Sequence, residues 1–225
     1  MNQRGGMRGC VKLEVLIADE HPIIRFGLKA LLDATDDMVV RGEAVDGHAT
    51  LEMIRQREWG LVMLDLCMPG RSGLELIKMI KAERPRLPLL VFSAQREEMY
   101  AVRAIRAGAS GYLPLRADTD TVVSAMRRVA GGRMFVSQRV TELLASQPVQ
   151  DGAMLPHDRL TDREYGIFSR IVSGATLTDI ADELSLSIKT VSTHKSHILD
   201  KMTLGGQVEL VRYAIEHKLL DTVRE

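Results

Sequence analysis

Three acidic residues and one hydroxyl have the spacing from which chemistry can be argued. Asp19 and Glu20 follow a short apolar run at residues 13–18, and Asp65 lies in the near-continuous apolar run 61–66. Ser93 follows a third run, residues 89–92. The runs are strand-sized, and their carboxyl ends are where ligands gather on an open α/β sheet. Three carboxylates brought together raise one another's pKa unless a cation neutralises them. Mg²⁺ is the natural candidate, because it prefers oxygen ligands and keeps water that a phosphate can replace. An aspartate beside such an ion can attack a phosphoryl donor and become an acyl phosphate, with the Ser93 hydroxyl at the same spot. A lone Asp at a strand end is ordinarily a cap or a surface charge; the coincidence at three strand ends points to a site. Two other phosphate chemistries fit poorly. Asp19-Glu20-His21-Pro22 stands where a dinucleotide fold needs its glycine fingerprint. An aspartyl phosphatase would want a second acid two residues after Asp65, where the chain has Cys67.

The elements that must position these residues alternate between strand and helix. Strand signals fall at 13–18, 38–44, 61–66, 89–92 and 111–115, and helical signals at 22–32, 49–57, 74–83, 97–107 and 119–130. Gly131-Gly132 ends the last helix. Five such units predict a doubly wound, five-stranded parallel sheet over residues 11–132. The rhythm is lost over 133–159, where Pro148, Gly152 and Pro156 leave room only for a short helix near 140–145, so this stretch reads as a linker. Residues 160–225 carry helical patterns alone.

That second segment begins with Thr161-Asp162-Arg163-Glu164, a capping box, and Ile167, Phe168, Ile171 and Val172 give the helix behind it one apolar face. Gly174 stops it. Thr176 and Asp179 repeat the pattern ahead of Ile180, Ala181 and Leu184, and Ser187 caps a third helix with Val191, Ile198 and Met202 facing inward. Two short helices about a turn at Ser185-Leu186 make a helix-turn-helix, whose second helix fits the DNA major groove. On it, Lys189, Thr190, Ser192, Thr193, Lys195 and Ser196 lie off the apolar stripe. Lysines position a helix on phosphates and hydroxyls meet base edges, although the charge pattern alone also fits an ordinary solvated face. His194 and His197 are one turn apart, but no cysteine or third histidine completes a zinc set.

Bulk composition narrows the classes. The 225 residues are 45% apolar, 27% charged and only 4% aromatic, so the core is aliphatic and the twelve methionines read as core filler. The formal net charge is zero, so any DNA affinity must come from a local basic surface. Cys10 and Cys67 make no disulfide framework, which suits a reducing compartment. Apolar runs stay far short of the roughly 20 residues of a membrane span. Residues 1–10 hold Arg4, Arg8 and three glycines without an apolar segment, and read as a flexible leader of a cytoplasmic protein with no membrane partner.

Ala18-Asp19-Glu20-His21-Pro22, Leu64-Asp65-Leu66-Cys67-Met68-Pro69-Gly70, Ser93-Ala94 and Gly108-Ala109-Ser110-Gly111-Tyr112-Leu113 together resemble the receiver domain of bacterial response regulators, a flavodoxin-like fold. Leu160 to Glu164 and Ile180 to His194 resemble the LuxR-type DNA-binding domain of the NarL/FixJ regulators. The resemblance implies a transcription regulator of a two-component system, without enzymatic turnover, phosphorylated on Asp65 by a sensor histidine kinase. It implies Mg²⁺ on Glu20, Asp65 and the carbonyl of Cys67, with Asp19 acting through water, and Ser93 and Tyr112 as a switch pair. It further implies base reading at 192, 193 and 196, RNA polymerase as a partner, and a homodimer. Val208, Val211 and Ile215 form either the dimer stripe or core packing. One departure stands out. The lysine that receivers carry three residues after the switch aromatic is here Leu115, with Arg116 on the other side of the strand. A missing cation predicts weaker coupling between phosphorylation and output. It also keeps in view an atypical regulator whose DNA binding ignores phosphorylation. Outside this class stand a phosphohydrolase fused to a DNA anchor and a pure docking module using the Ser93–Tyr112 face.

Overall fold

The computed structural model describes residues 12–68, 73–146, 155–184, 186–217 and 219–220. The leader at 1–10, most of the Pro/Gly-interrupted part of the linker, and Ser185 of the helix-turn-helix lie outside the described residues. The described residues form two compact units; the second begins at Gln138 and also takes in Arg96–Val102.

Up to residue 130, β1 (Leu13–Ala18), α1 (Pro22–Asp33), β2 (Met38–Ala44), α2 (Gly47–Gln56), β3 (Leu61–Leu64), α3 (Gly73–Glu83), β4 (Leu89–Ser93), α4 (Glu97–Ala107), β5 (Gly111–Pro114) and α5 (Thr119–Ala130) follow one another as expected, all in the first unit except the start of α4. The sheet is parallel throughout, in the order β2-β1-β3-β4-β5. Its strands are buried on both faces. Val15, Ile17, Met63, Leu90 and Phe92 join a core with Leu28 and Leu32 of α1 and Val122, Met126 and Val129 of α5. The alternate residues Leu16, Val62, Leu64, Leu89 and Val91 are also fully buried. Burial on both sides is why these strands read as continuous apolar runs rather than alternating ones. β3 ends two residues earlier than its apolar run, so Asp65 stands just past the end of the strand.

Two glycines show how tight the far edge is. A Cβ on Gly111 would stand 2.7 Å from the carbonyl oxygen of Phe135, whose backbone bridges to that residue. Gly108 turns the chain from α4 into β5 at φ +113°, a conformation L side chains rarely adopt.

The second unit is helical: α6 (Gln138–Ser146), a 3₁₀ turn at Pro156–Arg159, α7 (Asp162–Val172), α8 (Leu177–Glu183), α9 (Ile188–Met202) and α10 (Gln207–Glu216). Both capping boxes form as the residue types require, Thr161 with Glu164 and Thr176 with Asp179, and the Ser187 side chain caps α9. Ile167, Phe168, Ile180, Val191, Ile198 and Leu210 are fully buried between the four helices. A partly buried ion pair ties α7 to α9: Lys201 Nζ lies 2.7 Å from a carboxylate oxygen of the buried Glu164. The buried His157 ring meets the Tyr213 hydroxyl at 2.8 Å and joins the 3₁₀ turn to α10. No helix among the described residues is long and apolar enough to cross a membrane.

Candidate functional site

Register builds the acidic pocket. Ala18 pairs with Leu64, and Leu64 with Val91, so β1, β3 and β4 end almost level. The residues that follow are therefore neighbours, at the point between β1 and β3 where the winding of the sheet reverses. Asp65 N–H donates to the Ala18 carbonyl at 2.9 Å, and Asp19 N–H to that of Ala44 at 3.1 Å. Both carboxylates are buried, Asp19 to 4% and Asp65 to 6% exposure.

The Ser93 hydroxyl donates to Asp65 Oδ1 at 2.6 Å. Gln95 then links the rest of this wall. Its N–H lies 3.4 Å from Ser93 Oγ, its side-chain amide 2.7 Å from Cys67 Sγ, and its carbonyl accepts the Tyr112 hydroxyl at 2.8 Å. Tyr112 itself is buried. On the opposite wall Asp19 Oδ1 accepts the His21 N–H at 2.7 Å and faces the imidazole Nδ1 at 3.0 Å. Arg25 reaches up from α1 to the carbonyls of Asp19 and Glu20, at 2.9 and 3.1 Å.

The charges leave an unmet demand. Burial pushes the Asp65 carboxyl up and the Asp19 charge adds to this, against the Ser93 hydroxyl and the amides of Cys67 and Leu66. His21 is raised chiefly by its bond to Asp19, and by the charges of Asp19, Glu20 and Asp65. Two buried carboxylates with a raised member suit a small divalent cation, whose charge would return Asp65 to the ionised form that can attack phosphorus. Asp19, His21 and Asp65 each offer one ligand atom, all within 4.8 Å of one another. Glu20 is only half-buried and does not belong to that group.

At the lysine position, Leu115 packs against the core beneath the sheet, its N–H bonded to the Ser93 carbonyl at 3.0 Å, and Arg116 is exposed. The lysine position therefore holds an apolar side chain in place of a cation. Reading by residue type missed two participants. Gln95 has no signature of its own; only its place two residues after Ser93 marks it. His21 stood in the motif and was assigned no role.

In the second unit Lys189, Thr190, Ser192, Thr193 and Ser196 are exposed and Lys195 is half-buried. Their polar atoms are largely occupied. Thr190 shares the cap with Ser187, Thr193 donates to the Lys189 carbonyl at 3.0 Å, Ser196 to that of Ser192 at 3.3 Å, and Lys195 to Gln207 at 2.8 Å. On α10, Val208 is 83% and Ile215 43% exposed, with Val211 half-buried between them, while Leu210, Tyr213 and Ala214 face inward.

Residues 15–127 match the family "Response regulator receiver domain", and residues 158–214 the "Bacterial regulatory proteins, luxR family". The Fimbriae Z protein of Salmonella typhimurium is 34% identical over 207 residues, spanning 92% of this chain and 98% of that protein. The oxygen regulatory protein NreC of Staphylococcus carnosus is 34% identical over 216 residues, 93% of this chain and all of that one. A solved structure of two RcsB dimers bound to two parallel DNAs shares 26% identity at a TM-score of 0.57, covering 91% of this chain and 98% of that chain. Matches to both families, and relatives that run the length of the chain, show that it belongs to the two-component response regulators that join a receiver to a LuxR-type DNA-binding domain.

Proposed function

We propose that Asp65 is the phosphoacceptor of a transcription regulator, acting as a switch rather than as an enzyme in turnover. A carboxylate oxygen of Asp65 attacks the phosphorus of a phosphohistidine on a sensor kinase. The P–N bond breaks, its electron pair stays on the imidazole, and an acyl phosphate forms on Asp65. The observation that carries this reading is the 2.6 Å bond from Ser93 to a buried Asp65 whose neighbour is Asp19. Mg²⁺ is the proposed ion, held by Asp65 and Asp19 with Glu20 and the Cys67 carbonyl; it would screen charge between Asp65 and the incoming phosphoryl group. Once that group claims the Ser93 hydroxyl, Gln95 and Tyr112 are the next links, so Ser93 and Tyr112 serve as the switch pair.

The output is DNA binding through α9. Lys189 and Lys195 would neutralise phosphates while Thr190, Ser192, Thr193 and Ser196 face the groove. Val208, Val211 and Ile215 would meet a second copy, and the exposure of Val208 and Ile215 supports this over core packing. RNA polymerase is the expected downstream partner and the cytoplasm the expected location. The proposed division is a receiver at 11–132, a linker at 133–159 and a reader at 160–225.

The test is dimerisation and DNA affinity with and without a small phosphodonor, for wild type and Asp65→Ala. Phosphodonor should raise both in wild type and neither in the variant. A second reading, DNA binding that ignores phosphorylation, is favoured by Leu115, whose side chain packs on the core. Equal affinities in all four samples would establish it.

A further inference from the structure

We infer that His194 of α9 is a further DNA-contacting residue, whose neutral imidazole donates its single N–H, from Nε2, to a backbone phosphate. This rests on the reading above that α9 docks on DNA. His194 stands three residues after Val191 and four before Ile198, so it shares a side of the helix with two fully buried side chains. It is nevertheless only half-buried. It therefore lies on the flank of α9, between the apolar stripe and the exposed face that carries Lys189, Ser192, Thr193 and Ser196. When a helix lies in the major groove, its outward face looks at base edges and its flanks run beside the sugar-phosphate walls. A flank donor thus meets phosphate before it meets a base.

The two ring nitrogens differ in what surrounds them. Nδ1 is sealed from solvent without a hydrogen-bond partner, whereas Nε2 is not sealed and bonds to nothing among the described residues. A neutral imidazole has one N–H and one lone-pair nitrogen. A proton on Nδ1 would make a buried donor with no acceptor, the costlier kind of orphan, while an idle lone pair there is better tolerated. The N–H accordingly belongs on Nε2, where water accepts it in the free chain and a phosphate oxygen can replace that water. Other polar ends on α9 are already taken: Thr193 and Ser196 by carbonyls of the preceding turn, Lys195 by Gln207. Nε2 of His194 has no such internal partner to give up before it meets DNA. Being uncharged, this donor adds a directed bond and releases no counterion, unlike a lysine on the same helix.

The test uses the full chain and two unrelated mixed-sequence duplex DNAs. In free protein, imidazole ¹⁵N spectra at neutral pH should show His194 as the Nε2–H tautomer, assigned by the signal lost in His194→Ala. With DNA the Nε2–H proton should become protected from exchange. His194→Ala should weaken binding to both duplexes alike by about tenfold, the scale of a lost hydrogen bond to a charged partner. Its salt dependence should match that of wild type. His194→Gln, whose amide N–H can stand where Nε2–H stood, should recover most of the affinity, and His194→Asn, whose amide stands nearer Nδ1, should not. Thermal melts of all three variants check that α9 stays folded. Full affinity in His194→Ala, a salt slope lowered by one phosphate, losses that differ between the duplexes, or rescue by Asn instead of Gln each overturns the inference and leaves DNA binding by α9 standing. A wild-type chain that binds neither duplex overturns both.

Discussion

Asp65 is a charged group kept in a place that resists its charge. Its carboxyl is raised, chiefly by burial and then by Asp19. A raised carboxylate favours its protonated form on folding, so its stabilising share is present at low pH and lost as pH climbs through the raised value. Without divalent cation, Asp65→Asn should therefore stabilise the receiver at neutral pH by about 1 kcal/mol, a rise in Tm of roughly 2–8 °C. The gain should shrink as the pH is lowered toward the raised value, and calorimetry across that range checks it. Leu115→Lys is the complementary change. It should increase the ratio of DNA affinities with and without phosphodonor, while costing about 1 kcal/mol or more, because that side chain leaves an apolar contact with the core. An unchanged ratio would show that a cation at this position does not govern coupling. Asp19, Asp65 and Ser93 were legible because each is an unusual residue at the end of an apolar run. Gln95 was not, because its role comes from backbone and amide atoms that any glutamine has. Glu20 was legible as an acid but not as a half-exposed one, since alternation along a loop carries no rule.

Elements were read more easily than residues. The order of strands and helices and the parallel sheet follow from apolar runs too long to alternate, and the helix starts at Thr161, Thr176 and Ser187 from their capping residues. Among the misjudged boundaries, β3 ends two residues earlier than the apolar run, because Leu66 is buried outside the ladder and hydropathy cannot separate the two, and α2 begins two residues earlier than expected. The best single test at this scale is Glu164. Burial pushes its carboxyl up, but Lys201 and Thr161 outweigh this and hold it below the usual range. Its contribution is accordingly present above the ordinary carboxylate value and lost as pH falls through the lowered one. Glu164→Gln should cost roughly 1.5–3 kcal/mol at neutral pH, since it weakens both the capping box and the ion pair. Its penalty relative to wild type should fade in acid. Thermal melts in which both proteins keep the same difference at all pH values would contradict this.

At the scale of the molecule, zero net charge means that DNA affinity depends on a few side chains. Lys189→Ala should weaken binding to all sequences alike and reduce the salt dependence by about one phosphate's worth. Val208→Asp should leave the monomer's melting unchanged, because the side chain is 83% exposed, while lowering dimer formation and affinity for paired half-sites more than for a single half-site. Sedimentation and titration against both DNAs separate these effects.

Helix α9 ties up hydroxyls of its own. Thr193 and Ser196 are bonded to carbonyls of the preceding turn, and Lys195 to Gln207. If α9 reads DNA as proposed, a surface of this kind has few strong bidentate partners to offer a base pair, and discrimination would shift to groove width and bendability. Promoters under such a regulator should tolerate point changes that keep their shape, and a gene could come under its control by gaining a suitably flexible stretch of DNA rather than a particular word.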